Sequence, residues 1–274
     1  MRVYLLPIST RRTLLYAQRL NIATTTKNAG YVDKAVGYAA RKWTEWEAKD
    51  AGWQRKVVDY GNHALRRIPY EEWGLKSVPP LYARRRDEEL KGKEKIQLVF
   101  PRRIIPLHKA ESIARALATE RESLHIKRLT WSVLAMPLTI PVGLLPVIPN
   151  LPFFYLVYRA WSHWRAIRGG KHIQWLIKNR LLVETPSETV DKLYGEDAPS
   201  LDDSSGGKEK MLLSEKQVQA FCNTLEIPAL AIELERAIWQ VENAIKAKES
   251  TDATTDATTT KSEDDSTKQD KKDQ

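Results

Sequence analysis

The segment Leu129–Tyr158, LTWSVLAMPLTIPVGLLPVIPNLPFFYLVY, runs for thirty residues without a charge and carries Pro137, Pro141, Pro146, Pro149 and Pro152. A transmembrane helix needs roughly 20 apolar residues, so length alone permits a span. The prolines do not permit a single regular rod. Each interior proline removes a backbone hydrogen bond and clashes with the preceding turn, at about 3 kcal/mol or more. The spacing predicts a helix ending near Met136, a Pro-rich bend, and a second helix from about Leu151 through FFYLVYRAWSHWRAI to a stop at Gly169–Gly170.

Lys127 and Arg128 precede the segment, and Arg159, Arg165, Arg168 and Lys171 follow it. Two basic flanks suit a hairpin whose ends lie on one side of a bilayer. Trp131, Tyr155, Tyr158, Trp161 and Trp164 then take the places of interfacial anchors, and Arg159 snorkels to the head groups. The expectation is a membrane-inserted hairpin, full or re-entrant, ahead of a buried soluble helical pair. Ion and proton pathways usually carry intramembrane ionisable groups. This segment has none, so one copy of the chain makes a poor antiporter.

Outside the segment the charge is uneven. From Glu249 onward eight acidic residues face four basic ones, which leaves +13 on the rest of a chain whose net charge is +9. A body this basic suits an anionic partner, and nine tryptophans favour lipid over nucleic acid. Cys222 is the only cysteine, so no disulfide framework or Cys-based zinc site is available. The first 32 residues hold Arg2, Arg11, Arg12, Arg19, Lys27 and six Ser or Thr residues but no acid. That is the composition of a mitochondrial import signal. A short strand, Val3 to Leu6, followed by a helix capped near Ser9 accounts for the same residues equally well.

Two heptad-like seams stand out. Val32, Val36, Ala39, Trp43, Trp46, Trp53, Val57, Tyr60 and Ala64 follow steps of four and three, interrupted by Asp50, with AKDAGW as the weak point. Ile227, Ala231, Leu234, Ile238, Val241 and Ile245 repeat the rhythm near the C-terminus. The shorter helix before them opens with Ser214 and Gln217 at capping-box spacing, and Cys222 within it reads as a small packed residue. Residues 66–95 read as loop-rich, IQLVF (Ile96–Phe100) as a single strand, Lys109–Leu129 as helix, and residues 199–210 as a linker. The tail from Thr251 has no large apolar residue and reads as disordered.

Chemical motifs are sparse. His63, His108, His125, His163 and His172 show no HExxH and no cysteine neighbour. His125 and His163 flank the uncharged segment and are placed to face each other across a hairpin, although unpaired interfacial histidines are the simpler reading. Glu71 and Glu72 diverge in either helix or strand, so they read as solvated or capping groups. SGGKEK and RGGKH lack the Walker spacing. No catalytic, cofactor-binding or metal-ligating residue is assigned, no cofactor is expected, and the chain does not read as an enzyme.

Three stretches together, MRVYLLPISTRRTLLYAQRLN at the start, RIPYEEWGLKSVP at Arg67–Pro79 and NLPFFYLVYRAWSHWRA at Asn150–Ala166, carry a likeness. Through them the chain resembles the fungal mitochondrial K+-H+ exchange-related family over most of residues 1 to about 248. The resemblance implies an inner-membrane protein linked to potassium–proton exchange, with no family catalytic motif to carry over. It also makes a long cleaved presequence less expected, because the pattern begins at Met1.

The resulting expectation is a mostly α protein. A helical body with long heptad-spaced helices carries a Pro-rich membrane-inserted hairpin and a disordered C-terminal tail, divided at 1–128, 129–168, 169–248 and 249–274. Its expected role is a component or regulator of inner-membrane potassium–proton exchange, with the body facing the matrix. The alternative is a basic adaptor tethering a partner such as the ribosome to that membrane. Expected partners are inner-membrane phospholipid and proteins, or a second copy, bound through the helical seams, with no specific nucleic acid.

Overall fold

The computed structural model describes residues 1–18, 38, 41–91, 96–144, 150–196, 198–201 and 208–269. Among them, four strands form one mixed sheet. β1 (Arg2–Pro7) pairs antiparallel with β2 (Thr13–Gln18), β3 (Ile96–Phe100) runs parallel to β1, and β4 (Leu182–Pro186) runs parallel to β3. The order across the sheet is β2-β1-β3-β4.

The mostly α expectation is therefore corrected to helices packed on both faces of a sheet. Side chains alternate across a strand. Val3, Leu5, Leu15, Leu98 and Phe100 face one layer, while Tyr4, Leu6, Leu14 and Val99 face the other. Both faces are covered, which explains why β1 and β3 read as almost continuous apolar runs. Ser9 accepts hydrogen bonds from the backbone N–H groups of Arg11 (3.3 Å) and Arg12 (3.1 Å). A hydroxyl serving downstream N–H groups looks like a helix cap in sequence, but here it closes the β1–β2 turn.

Helices supply the two outer layers. Residues 41–47 are helical, the chain breaks over 48–52 with Gly52 at φ 115°, and α1 (Trp53–Arg66) follows. The break falls in AKDAGW. Val32, Val36 and Ala39 of the first seam lie outside the described residues, and Trp53 and Tyr60 on its later part stay more than half exposed. The stretch read as loop contains α2 (Tyr70–Ser77) and α3 (Ala83–Leu90). Pro69 occupies the N-cap of α2, where a missing N–H costs nothing, and the helix ends before Pro79.

Beyond β3, α4 (Leu107–Thr119) and α5 (Glu122–Ala135) replace the single helix expected from Lys109. A 3₁₀ segment, Pro137–Leu144, precedes α6 (Leu151–Lys178); residues 145–149, the rest of the bend, lie outside the described residues. α7 (Glu188–Tyr194) and α8 (Glu215–Leu225) lead to α9 (Leu230–Gln269). Ser214 N–H donates to the Gln217 side chain at 2.9 Å, completing the capping box. The tail read as disordered from Thr251 continues α9 to Gln269; no glycine or proline follows Pro228 to break it.

The inserted hairpin is overturned. Among the described residues, no helix is long and apolar enough to cross a membrane. α5 is short, and α6 carries five cations within its 28 residues. α5 and α6 do pack together as the expected pair, but α6 belongs to the body. Ile173, Leu176 and Ile177 at its far end pack on the sheet with Ala110, Ala114 and Ala118 of α4. Gly169 and Gly170 are not a stop; they lie inside α6 at close crossings with α2 and α4. The C-terminal seam buries the face read from the sequence. Its partner is the sheet with α8 rather than a second heptad helix, with Leu234, Ile238 and Val241 meeting Leu6, Leu14 and Phe221.

Candidate functional site

Where α2, α5 and α6 meet, six polar side chains are sequestered from solvent: Glu72 and Lys76 from α2, His125 from α5, and Arg159, Ser162 and His163 from α6. Helical spacing creates the cluster. Glu72 and Lys76 are four apart, as are Arg159 and His163, so each pair projects from one face. Arg159 forks onto the Glu72 carboxylate, donating from Nη1 to Oε1 at 2.9 Å and from Nη2 to Oε2 at 3.2 Å. Ser162 Oγ donates to Glu72 Oε1 at 2.5 Å and accepts from Lys76 Nζ at 2.9 Å. Lys76 Nζ also lies 3.1 Å from the centre of the Trp73 ring, and the Arg236 guanidinium of α9 stands 4.4 Å from it.

The histidines can be protonated in only one consistent way. Arg159 Nη2 stands 2.9 Å from His163 Nε2. A guanidinium only donates, so Nε2 accepts and the His163 proton is assigned to Nδ1. That proton points to His125 Nδ1 at 3.1 Å, which accepts, so His125 carries its own proton on Nε2. His125 Nε2 is buried without a hydrogen-bond partner. The result is a directed chain of neutral imidazoles that starts at the ion pair.

Burial sets the electrostatics. It opposes ionisation of Glu72, but the Ser162 hydrogen bond and the Arg159 charge outweigh it and hold the carboxyl below its usual range. Burial pulls Lys76 down to about 7 against the attraction of Glu72 and Glu233. It likewise pulls His163 down to about 4 and lowers His125, with Glu72 opposing both shifts. Beside His163 a cavity of about 430 Å³ opens between α5 and α6. Trp131, Ser132 and Ala135 line one side, Tyr155 and Leu156 the other, and Arg159 and His163 its polar end.

Glu72, His125 and His163 also present one ligand atom each within 4.8 Å of one another. The donor set does not fit a cation. Coordination through Nδ1 would place the proton of a neutral His163 on Nε2, facing the Arg159 donor at 2.9 Å. Arg159 already supplies the positive charge that the carboxylate requires.

The two histidines singled out by their flanking positions thus face each other, inside the protein rather than at an interface. The two glutamates separate as expected for neighbours on a helix. Glu71 pairs with Arg121 at 2.7 Å on the outside, whereas Glu72 is fully buried and not the solvated group it was read as. His172 is a brace, bonded through Nδ1 to the Pro79 carbonyl at 2.7 Å and through Nε2 to Glu89 at 2.9 Å. Lys76, Arg159 and Ser162 were missed. The available signal was the coincidence of polar spacing in YEEWGLK and YRAWSH, two of the three stretches that carry the resemblance.

Acid should loosen this cluster. The unfolded chain protonates His163 near its ordinary value of 6.5, whereas the folded chain resists until about 4. Stability is therefore full above about 6.5 and falls as pH drops through that window, by about 3 kcal/mol. Urea unfolding at stepped pH checks this, and His163→Gln should flatten the slope between those limits.

A mixed sheet covered on both faces, with an ion pair and two neutral imidazoles buried between three of its helices, defines a class of α/β protein built around an interior polar network. The family described as mitochondrial K+-H+ exchange-related matches residues 2–177. The chain belongs to that family, which ties it to the mitochondrion and to potassium–proton exchange. An uncharacterized protein of Schizosaccharomyces pombe is 28% identical over 193 residues, covering 70% of this chain and 82% of the relative. An uncharacterized protein of Saccharomyces cerevisiae is 25% identical over 270 residues, covering 87% and 84% respectively. No solved structure matches the chain.

Proposed function

We propose that this chain is a component or regulator of potassium–proton exchange at the mitochondrial inner membrane, acting by binding rather than by catalysis, with its body on the matrix side. The observation that carries this reading is the family match over residues 2–177, which takes in the whole polar cluster. Supporting it is a set of buried groups whose proton affinity the fold controls, with Lys76 at about 7. A buried amine near that value changes charge around neutral pH, which suits a subunit that tunes exchange to proton activity. The open aromatic seam at Trp53 and Tyr60 offers a surface for a protein partner in that system.

Swelling of isolated mitochondria in potassium acetate tests the role. Deletion should slow swelling, and re-expression of the chain should restore it; unchanged swelling refutes the reading. Protease protection in the same organelles, with the body shielded until the inner membrane is opened, tests the matrix placement.

A further inference from the structure

Among the described residues, the free end of the α5–α6 pair is apolar and uncovered. Trp131 is 66% exposed, Leu134 61%, Leu138 80% and Phe154 62%, with Ile140 and Leu151 open beside them. Trp131, Leu134 and Leu138 are three and four residues apart and continue one stripe from α5 into the 3₁₀ segment, while Leu151 and Phe154 open α6 at the same end. The exposed charges nearest this end on the two helices are Lys127 and Arg128, while Arg159 turns inward onto Glu72. No acidic residue occurs from Ser123 through Val183, a stretch with eight lysines and arginines. Lys127 and Arg128 sit exposed one turn behind Trp131 on α5, and Arg128 shares the wall of the 430 Å³ cavity with Trp131.

We propose that this end docks on an anionic phospholipid surface, with its apolar side chains resting among the head groups and Lys127 and Arg128 against the phosphates. This is attachment to one face of the bilayer, with neither helix crossing it. Charge complementarity selects the occupant. An apolar tip flanked by the exposed Lys127 and Arg128 matches a negatively charged lipid surface, and Trp131 and Tyr155 are residue types that settle at such an interface. A protein partner would have to supply all of the acidic charge itself. The inference stands apart from the exchange role, because lipid attachment can be measured where no exchange occurs.

The test is co-flotation of the full chain with vesicles of phosphatidylcholine alone or mixed with phosphatidylglycerol. Binding to the mixed vesicles is expected, with release by alkaline carbonate. Leu138→Asp and Phe154→Asp should each weaken binding about tenfold, and Arg128→Gln about fivefold, with the largest effect at low salt. These positions are exposed, so the variants should keep the parent's circular dichroism and melting midpoint. Three results would overturn the proposal: no flotation with anionic vesicles at low salt, flotation indifferent to the aspartates, or resistance to carbonate. A chain that is dimeric by light scattering and becomes monomeric with Leu138→Asp would instead show that a second copy covers this face, and would also overturn it.

Discussion

Glu72→Ala should lower the stability of the folded chain by about 3–5 kcal/mol, the cost of stranding one member of a buried ion pair. The carboxylate is fully buried and serves Arg159 through two hydrogen bonds and Ser162 through a third. Removing it leaves the guanidinium with no anion within hydrogen-bonding reach in the cluster. Ser162 loses its acceptor as well. Glu72→Gln keeps the shape and one acceptor, so it should be milder, though the lost charge keeps it destabilising. The decisive comparison is the double variant Glu72→Met with Arg159→Met. Replacing both charges by apolar groups of similar volume avoids stranding either one, so the pair should be less damaging than Glu72→Ala alone. Urea unfolding of the four proteins measures this. A Glu72→Ala loss under about 1 kcal/mol would mean that water reaches Arg159 and that the cluster is not a sealed network.

How much of this could be read from the chain depends on whether an element's reason is local. β1 and β3 are legible because VYLL and IQLVF are short apolar runs bounded by breakers. β2 is not, because TLLYAQ is built largely from good helix formers and follows a serine that mimics a cap. Its pairing with β1 decides the matter, and the β3 and β4 strands that complete that sheet lie far along the chain. The C-terminal seam shows its buried face in its spacing, yet spacing does not say whether a helix or a sheet lies opposite. The uncharged segment misled most. Its lack of charge was real, but Arg159 just beyond it points inward to a carboxylate 87 residues earlier instead of outward to head groups. Sequence reasoning sends an arginine to the surface by default, and only the tertiary pairing reverses that. The hairpin geometry offered His125 opposite His163 only as the second reading; the simpler one, unpaired interfacial histidines, fails because both rings are buried and paired.

Gly169→Ala should also be strongly destabilising, although in an exposed helix the same change would stabilise by about 1 kcal/mol. The packing decides the sign. A Cβ at Gly169 would lie 2.0 Å from the Leu75 carbonyl oxygen, 3.0 Å from its carbon and 3.3 Å from Val78 Cβ. The first two are backbone atoms at the end of α2 and cannot turn aside as a side chain can. α6 must therefore back away from α2, at an expected net cost of about 2–3 kcal/mol. The displacement reaches the polar network, because Arg159 and Ser162 ride on α6 and Glu72 and Lys76 on α2. An added methyl some two turns from Ser162 should thus loosen the ion pair without touching it. Gly169→Ala and Glu72→Ala should combine less than additively in urea unfolding, since each disrupts the same α2–α6 contact. A Gly169→Ala protein as stable as its parent would show that the two helices have room to spare, and the close crossing would no longer explain the glycine.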